Sequence, residues 1–292
     1  MEWTIRPASK IQGKIEIPAD KSITHRAIMF SSIAEGDSRI ENYLPADDCM
    51  QTLKAFQNLG VKIEKDEETL LIHGVGLKGL KPFEGIIDAG NSGTTARLLT
   101  GILSGQDFIS RISGDESLSR RPMKRIIEPL SMMGVKIKAR ENNFLPIEIE
   151  GSSKLRKIDY KSPTASAQVK SCIILAALQA SGTSSIEEPS NSRNHTEIML
   201  KARGVDIEIR GKKVSVKGPA KIKAMDMLVP SDISSAAFFM VAAAIMPGSS
   251  LEIPNVGVNP TRDGMLEVLK SMRASIEVRN QRKVSGEPVA DI

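Results

Sequence analysis

Leu59-Gly60-Val61-Lys62-Ile63 returns as Met133-Gly134-Val135-Lys136-Ile137, then as Arg203-Gly204-Val205-Asp206-Ile207, and last, altered, as Met272-Arg273-Ala274-Ser275-Ile276. The isoleucines stand 74, 70 and 69 residues apart. Before each phrase lie apolar residues at helical spacing: Met50/Leu53/Phe56, Met123/Ile126/Ile127/Leu130, Ile198/Leu200 and Met265/Leu266/Leu269. The phrase therefore reads as the end of a helix, a turn and a short strand. So regular a period points to one supersecondary unit copied along the chain. Solenoid repeats run about 20–50 residues. Units near 70 fit a mini-fold of βαβαββ type better, with a structural solenoid as the alternative.

Upstream of each phrase a second pattern repeats. A polar start precedes an apolar run at Asp20-Lys21-Ser22-Ile23-Thr24, Gly90-Asn91-Ser92-Gly93-Thr94, Ser166-Ala167-Gln168-Val169-Lys170 and Ser231-Asp232-Ile233-Ser234-Ser235. Asp, Asn and Ser are favoured helix N-caps. Gly36, Gly105, Gly182 and Gly248 are expected to end these helices as C′ glycines. Strands are expected at 39–42, 108–111, 185–187 and 251–253. The first helix of each unit is apolar almost all round, as in Ala236-Ala237-Phe238-Phe239-Met240-Val241, which predicts burial. In the fourth phrase Arg273 replaces the glycine. Either it takes a left-handed backbone at a cost of roughly 1 kcal/mol, or the turn differs.

Composition narrows the partners. At 292 residues about two domains are expected. Aromatics make up only 3%, poor material for stacking bases, so single-stranded nucleic acid is disfavoured. The net charge of +5 is scattered, without a basic run, which suits a small anionic substrate better than a nucleic-acid stripe. Cys49 and Cys172 lie far apart and, with His25, His73 and His195, form no metal spacing. The start, Met1-Glu2-Trp3-Thr4-Ile5-Arg6-Pro7, lacks an apolar signal core, and the longest apolar run, 236–247, is too short for a bilayer. A cytoplasmic protein in a reducing compartment is expected.

Helices that are buried should begin blandly, yet these begin with charge. Lys21 and His25 share one face, as do Ser22 and Arg26. A cation in a first turn opposes the helix dipole. The arrangement makes sense if an anion sits there, held by side chains and free amides; a solvated helix start is the alternative. Gly90 to Arg97 forms a glycine-rich helix start without the Lys-Ser/Thr of a nucleotide P-loop. In Arg120-Arg121-Pro122-Met123, proline suits the first helical position, which would place Arg121 at the N-cap. Ser166-Ala167-Gln168 and Ser190-Asn191-Ser192-Arg193-Asn194-His195 again gather hydroxyls, an amide and an arginine. Such clusters, one after another at unit edges, read as one anion-lined cleft.

Five segments in this order resemble the enolpyruvyl transferases, in the branch acting on shikimate 3-phosphate. They are Pro18-Ala19-Asp20-Lys21-Ser22-Ile23-Thr24-His25-Arg26-Ala27, Gly90-Asn91-Ser92-Gly93-Thr94, Arg121-Pro122-Met123, Ser166-Ala167-Gln168-Val169-Lys170-Ser171 and Ser192-Arg193-Asn194-His195-Thr196-Glu197. The branch acting on UDP-N-acetylglucosamine is disfavoured. It pairs Lys with Asn where this chain has Lys21-Ser22, and neither cysteine is placed for its reactive loop.

The resemblance implies an inside-out α/β barrel of repeated βαβαββ units. Two domains of three units each would flank the cleft. Residues 19–228 would form the complete, shikimate 3-phosphate side; 1–18 plus 229–292 would form a partial second domain of one unit and an N-terminal strand. The implied reaction moves the enolpyruvyl group of phosphoenolpyruvate onto the 5-hydroxyl of shikimate 3-phosphate, releasing phosphate, in the shikimate pathway of aromatic amino-acid biosynthesis. It needs neither metal nor organic cofactor. Lys21 would contact phosphoenolpyruvate and assist proton transfer. Ser22 and Arg26 would hold the shikimate ring and its carboxylate. Gly93 and Arg121 would face phosphoenolpyruvate, with Asn91 shaping the turn and Thr94 nearby. Ser166, Ala167, Gln168, Ser192 and Arg193 would hold shikimate 3-phosphate. The main acid and base would lie beyond residue 292.

The family has six units and this chain shows four, the fourth ending near Ile276. A chain truncated by roughly 140 residues, inactive or nearly so by itself, is therefore expected. The complete enzyme would be a monomer binding no nucleic acid and no membrane, and glyphosate would inhibit it at the phosphoenolpyruvate site. A non-catalytic fragment that captures shikimate 3-phosphate, and a basic RNA-associated repeat protein, are the other readings.

Overall fold

Local capping chemistry sets out the helices, and strand pairing then repeats one pattern around them. The computed structural model describes Thr4 and residues 7–292. Residues 1–3 and 5–6, part of the segment expected to enter the second domain, lie outside the described residues. In chain order the elements are β1 (Gln12–Lys14), α1 (Lys21–Ser32), β2 (Glu35–Glu41), α2 (Asp47–Asn58), β3 (Lys62–Lys65) and β4 (Thr69–Val75). There follow β5 (Ile87–Asp88), α3 (Gly93–Leu103), β6 (Ile109–Ser113), α4 (Glu116–Ser119), α5 (Lys124–Met132), β7 (Lys136–Arg140) and β8 (Phe144–Glu150). The third set is β9 (Asp159–Lys161), α6 (Ala167–Ala177), β10 (Gly182–Glu187), α7 (His195–Ala202), β11 (Ile207–Arg210) and β12 (Lys213–Gly218). The last is β13 (Met227–Leu228), α8 (Ile233–Ile245), β14 (Ser250–Glu252), β15 (Val256–Gly257), α9 (Gly264–Ser271), β16 (Arg279–Val284) and β17 (Glu287–Asp291).

Three four-stranded sheets share one topology: β5-β6-β8-β7, β9-β10-β12-β11 and β13-β2-β4-β3. In each the first two strands are parallel and the other pairs antiparallel. The first unit takes its parallel edge from β13, where Met227 pairs with Ile40. The fourth unit repeats the order with β1 as its edge. β1 pairs in parallel with β14. Reciprocal bonds between Ile253 and Ile292, at 2.7 and 2.9 Å, join β14 to β17, which pairs with β16. The copied βαβαββ unit is thus present four times, as the period implies, and the solenoid alternative falls away.

The inner helices start where the caps were read. Asp20, Ser92 and Ser166 accept from the third residue along, Ile23, Thr95 and Val169, and Asp232 accepts from Ser234. Such a cap contributes about 1 kcal/mol. The helix ends differ from expectation. Gly105 follows the α3 cap residue Ser104 and is its C′ residue, though without a positive φ, whereas α1, α6 and α8 end before Gly36, Gly182 and Gly248, none of which is C′. The glycines that the helix ends demand sit on the returning strand. A Cβ on Gly74 would meet the Ala34 carbonyl oxygen at 2.4 Å, one on Gly151 the Gln106 oxygen at 2.4 Å, and one on Gly218 the Ala177 oxygen at 2.3 Å. The last strand of each of these units lies directly on the carbonyl end of its inner helix, closer than any side chain allows.

Two further expectations need correction. Ile276 is not in a strand: β16 begins at Arg279, and the unit finishes with β17. Pro122 is not the first helical residue either. α5 opens at Lys124 with Met123 in the cap position, so Arg121 lies in the link between α4 and α5. Arg273, by contrast, keeps the left-handed backbone of Gly60, Gly134 and Gly204, at φ +62°. Arg273→Gly should therefore raise unfolding free energy by roughly 0.5–1 kcal/mol, the relief of left-handed strain less the glycine's chain entropy. Chemical denaturation checks this; a loss of stability would contradict it.

The buried apolar residues form two clusters. One gathers α1, α3 and α6 with their sheets, from Ala19 to Val229. The other joins Ile17 with Ile233, Met240, Ile253, Leu266 and Leu269. α1, α3 and α6 are buried as expected. α8 is not: Phe238 is 78% and Ile245 73% exposed, and Val268 in α9 and Met272 at its end are bare as well. In the first cluster three inner helices cover one another, whereas α8 has no such companions among the described residues. No helix is long and apolar enough to cross a membrane among these residues.

Candidate active site

The first turns of α1, α3 and α6 meet. Gln168, in the first turn of α6, donates from Nε2 to Thr94 Oγ1 at 3.1 Å, in the first turn of α3. A buried chain of side chains joins α1 to α3: His25 Nδ1 lies 2.7 Å from Thr52 Oγ1, which lies 2.7 Å from Thr95 Oγ1, which donates to Ser92 Oγ at 2.7 Å. Arg26 joins α1 to the third unit. Its Nε donates to Thr196 Oγ1 at 2.7 Å and its Nη2 to Ser171 Oγ at 3.1 Å. Three helix N-termini are therefore gathered at one end of the body. Their free amides and dipoles favour negative charge there.

Cations surround this end. Lys21 is exposed and meets Asp48 Oδ2 at 3.0 Å. Ser22 is half-buried, and its carbonyl accepts from Arg26 Nη1 at 3.0 Å. Burial pulls the Arg26 guanidinium down to about 10, with Glu197 the largest opposing influence. Asn91 shapes its turn by bonding both ways: Nδ2 donates to Asp115 Oδ2 at 2.7 Å, and Oδ1 accepts from Arg121 Nη2 at 2.6 Å. Gly93 is the first residue of α3. Ser166 is the N-cap of α6 and Ala167 its first residue, both half-buried. Ser192 is half-buried and Arg193 exposed, just before α7. Of the residues singled out, Lys21, Ser22, Arg26, Asn91, Gly93, Thr94, Ser166, Ala167 and Gln168 fall at an inner helix start, Arg121 in the α4–α5 link bonded to Asn91, and Ser192 and Arg193 just before α7.

Some residues at this end carried no assignment from sequence. Arg97, one turn into α3, is buried and donates to Gln168 Oε1 at 2.8 Å and to the Pro122 carbonyl at 3.2 Å. Burial lowers its pKa, with Arg125 and Arg121 adding to the effect. A Cβ on Gly93 would come within 2.6 Å of Arg97 Nη1 and 3.7 Å of Arg121 Nη1. Its position in Gly93-Thr94-Thr95-Ala96-Arg97, four residues after the glycine and in an apolar helix, was the available signal. Arg262 pairs with Asp20 and reaches Asp232 Oδ1 at 3.0 Å, so it ties the N-caps of α1 and α8 together. His195 meets Glu287 Oε1 at 2.9 Å, with both side chains buried. These contacts join the two clusters, and no local pattern announces them. The cysteines are unreactive by their setting: burial lifts Cys49 to about 12 and Cys172 further.

The family model for EPSP synthase (3-phosphoshikimate 1-carboxyvinyltransferase) matches residues 5–291. This chain belongs to the EPSP synthase family. The 3-phosphoshikimate 1-carboxyvinyltransferase of Endomicrobium trichonymphae is 53% identical over 294 residues, covering 100% of this chain and 68% of that protein. The Bacillus subtilis enzyme of that name is 48% identical over 283 residues, covering 97% of this chain and 66% of its own. The solved EPSP synthase of Acinetobacter baumannii superposes with a TM-score of 0.93 at 48% identity, over 97% of this chain and 64% of that one. This chain spans about two thirds of the length of the relatives it matches. EPSP synthase membership accounts for the inside-out α/β architecture. It also favours the transferase reading over the RNA-associated repeat.

Proposed function

We propose that this chain carries the shikimate 3-phosphate wall of an enzyme that transfers the enolpyruvyl group of phosphoenolpyruvate to that substrate's 5-hydroxyl. The observation that carries the reading is the meeting of the α1, α3 and α6 starts, ringed by Lys21, Arg26, Arg97, Arg121 and Arg193. Both substrates are anions, each with a phosphate and a carboxylate. Amides and fixed cations can hold them without a metal, and can stabilise charge that develops during transfer. Lys21, Asn91, Gly93 and Arg121 lie towards phosphoenolpyruvate in this reading. Ser22, Arg26, Ser166, Ala167, Gln168, Ser192 and Arg193 lie towards shikimate 3-phosphate, and Thr94, which accepts from Gln168, lies between the two. We further propose domains of 19–228 and of 1–18 plus 229–292, which the two apolar clusters support. The complete enzyme is proposed as a cytoplasmic monomer.

Calorimetric titration with shikimate 3-phosphate tests the reading. Saturable one-to-one binding is expected, weakened on the order of 100-fold in Arg26→Ala, since truncating a buried charged partner costs about 2–5 kcal/mol. Binding unaffected by that change would overturn the assignment of Arg26. No binding to the wild-type chain would overturn the reading of this wall.

Glyphosate is proposed to occupy the phosphoenolpyruvate side. Gly93→Ala would push its methyl group at the Arg97 tip and displace the cations beside it. In a completed enzyme this change is expected to weaken glyphosate inhibition by on the order of tenfold, a loss near 1.4 kcal/mol. An unchanged inhibition constant would refute it.

A further inference from the structure

Behind the proposed phosphate side lies a buried ion cluster to which the reading so far gives no role. Lys170, in α6, is 4% exposed, and its Nζ lies 2.9 Å from Glu188 Oε2 and 2.8 Å from Glu197 Oε1. Glu188, just after β10, is 4% exposed and Glu197, in α7, 1%. Buried charges of this kind cost several kcal/mol to desolvate, and hydrophobic replacements are often as stable. Charge compensation alone therefore does not account for them. The geometry of Glu188 does. Its Oε1 accepts from the Ser166 backbone N–H at 2.8 Å, and its Oε2 accepts from Ser192 Oγ at 2.7 Å. One carboxylate thereby spans the N-cap of α6 and the loop before α7. Lys170 holds it from behind and also reaches the Ser192 carbonyl at 3.4 Å.

We propose that Glu188 is the positioning residue of the phosphate pocket: it sets Ser166 and Ser192 at a fixed separation and parks the Ser192 hydroxyl until the substrate's phosphate takes its proton bond. A serine hydroxyl has one proton to donate. In the free protein that proton points to Glu188. When an anion arrives Ser192 rotates to donate to it, and Glu188 keeps the Ser166 amide and Lys170. Lys170 offsets one of the two carboxylate charges, and Arg26, whose charged form Glu197 favours, offsets the other. This inference rests on the proposed shikimate 3-phosphate reading.

The reach of the side chain, not its charge alone, is what matters here. Glu188→Asp keeps the charge beside Lys170 but is one methylene too short to serve Ser166 and Ser192 together. Calorimetric titration of the 292-residue chain with shikimate 3-phosphate, and with shikimate lacking the phosphate, separates the roles. For Glu188→Asp an approximately tenfold weaker affinity for the phosphorylated ligand is expected, with the affinity for shikimate unchanged. Wild-type affinity in Glu188→Asp would overturn the proposal, since the carboxylate would then only neutralise Lys170. Equal losses for both ligands would also overturn it, as a general structural effect. If Glu188→Asp does not fold, Glu188→Gln, which keeps the length, is expected to retain at least part of the binding; complete loss there would count against positioning. A wild-type chain that binds neither ligand would sink the underlying reading, and this inference with it.

Discussion

Supplied with phosphoenolpyruvate and shikimate 3-phosphate, the purified 292-residue chain is expected to release phosphate at least ~10³-fold more slowly than a full-length relative. Enolpyruvyl transfer needs an acid to protonate the enol carbon and a base to take the hydroxyl proton. The wall described above offers cations, amides and hydroxyls, but its carboxylates are committed. Asp48 pairs with Lys21. Asp115 caps α4 and accepts from Asn91, and those bonds hold it below the usual carboxylate range, a poor acid. Glu188 and Glu197 flank Lys170. Groups that act together in catalysis are grossly non-additive, so a wall whose carboxylates are committed in this way is expected to forfeit most of the rate. The bare apolar face of α8 points the same way, because an exposed patch of that kind marks a surface that binds more protein. A phosphate-release assay checks the expectation, with and without a second polypeptide carrying the remaining third of a relative. Turnover by the chain alone within tenfold of that relative would overturn it.

Between pH 6.5 and pH 5 the chain should lose about 1.6 kcal/mol of stability through His25 alone. Burial, then the neighbouring Arg26, lowers this imidazole from 6.5 to about 3, against a weaker pull from Asp48. The unfolded chain binds a proton near 6.5 that the folded chain refuses. The neutral form is therefore fully stabilising above that value, and the advantage drains away as pH falls towards 3. Carboxylates titrate mostly below pH 5, so the upper window isolates the histidine. Urea unfolding at half-unit steps should give a slope near 1.4 kcal/mol per pH unit below 6. In His25→Gln, whose amide can still reach Thr52, the slope should flatten. Parallel slopes in the two proteins would show that His25 is not the titrating group.

Why His25 is neutral could not be read from Asp20-Lys21-Ser22-Ile23-Thr24-His25-Arg26, where it looked like one more cation at a helix start. The chain from Thr52 to Ser92 that fixes it is assembled from three helices. The same limit explains Lys170, Glu188 and Arg262, whose partners are distant in sequence. Features that local chemistry decides were legible. Asp20, Ser92, Ser166 and Asp232 cap helices because a short polar side chain reaches the free amides wherever it precedes an apolar run. The period of the repeat survived because each copy must form the same turn. A glycine after a helix suggests a cap, yet Gly36, Gly182 and Gly248 lie beyond the C′ position. The glycines that matter, Gly74, Gly151 and Gly218, are needed by a backbone contact that appears only when the last strand lies against the helix. α8 has the composition of a buried helix, but burial needs neighbours, and composition does not supply them.

The pairing of β13 with β2 has a consequence for how the protein is made. Met227 must reach Ile40 before the first sheet is complete. At a ribosomal rate of about 5–20 residues per second, roughly 10–40 s separate the synthesis of the two strands. Throughout that interval the nascent first unit presents β2 as an open edge, of the sort that pairs with whatever extended chain it meets. The second and third units carry their own edge strands, β5 and β9, just ahead of them, and can close as they emerge. Folding of the first body should therefore begin in its middle and finish at its beginning. The residues that grip the shikimate carboxylate in the proposed reading, Ser22 and Arg26, would be the first translated and among the last locked in place.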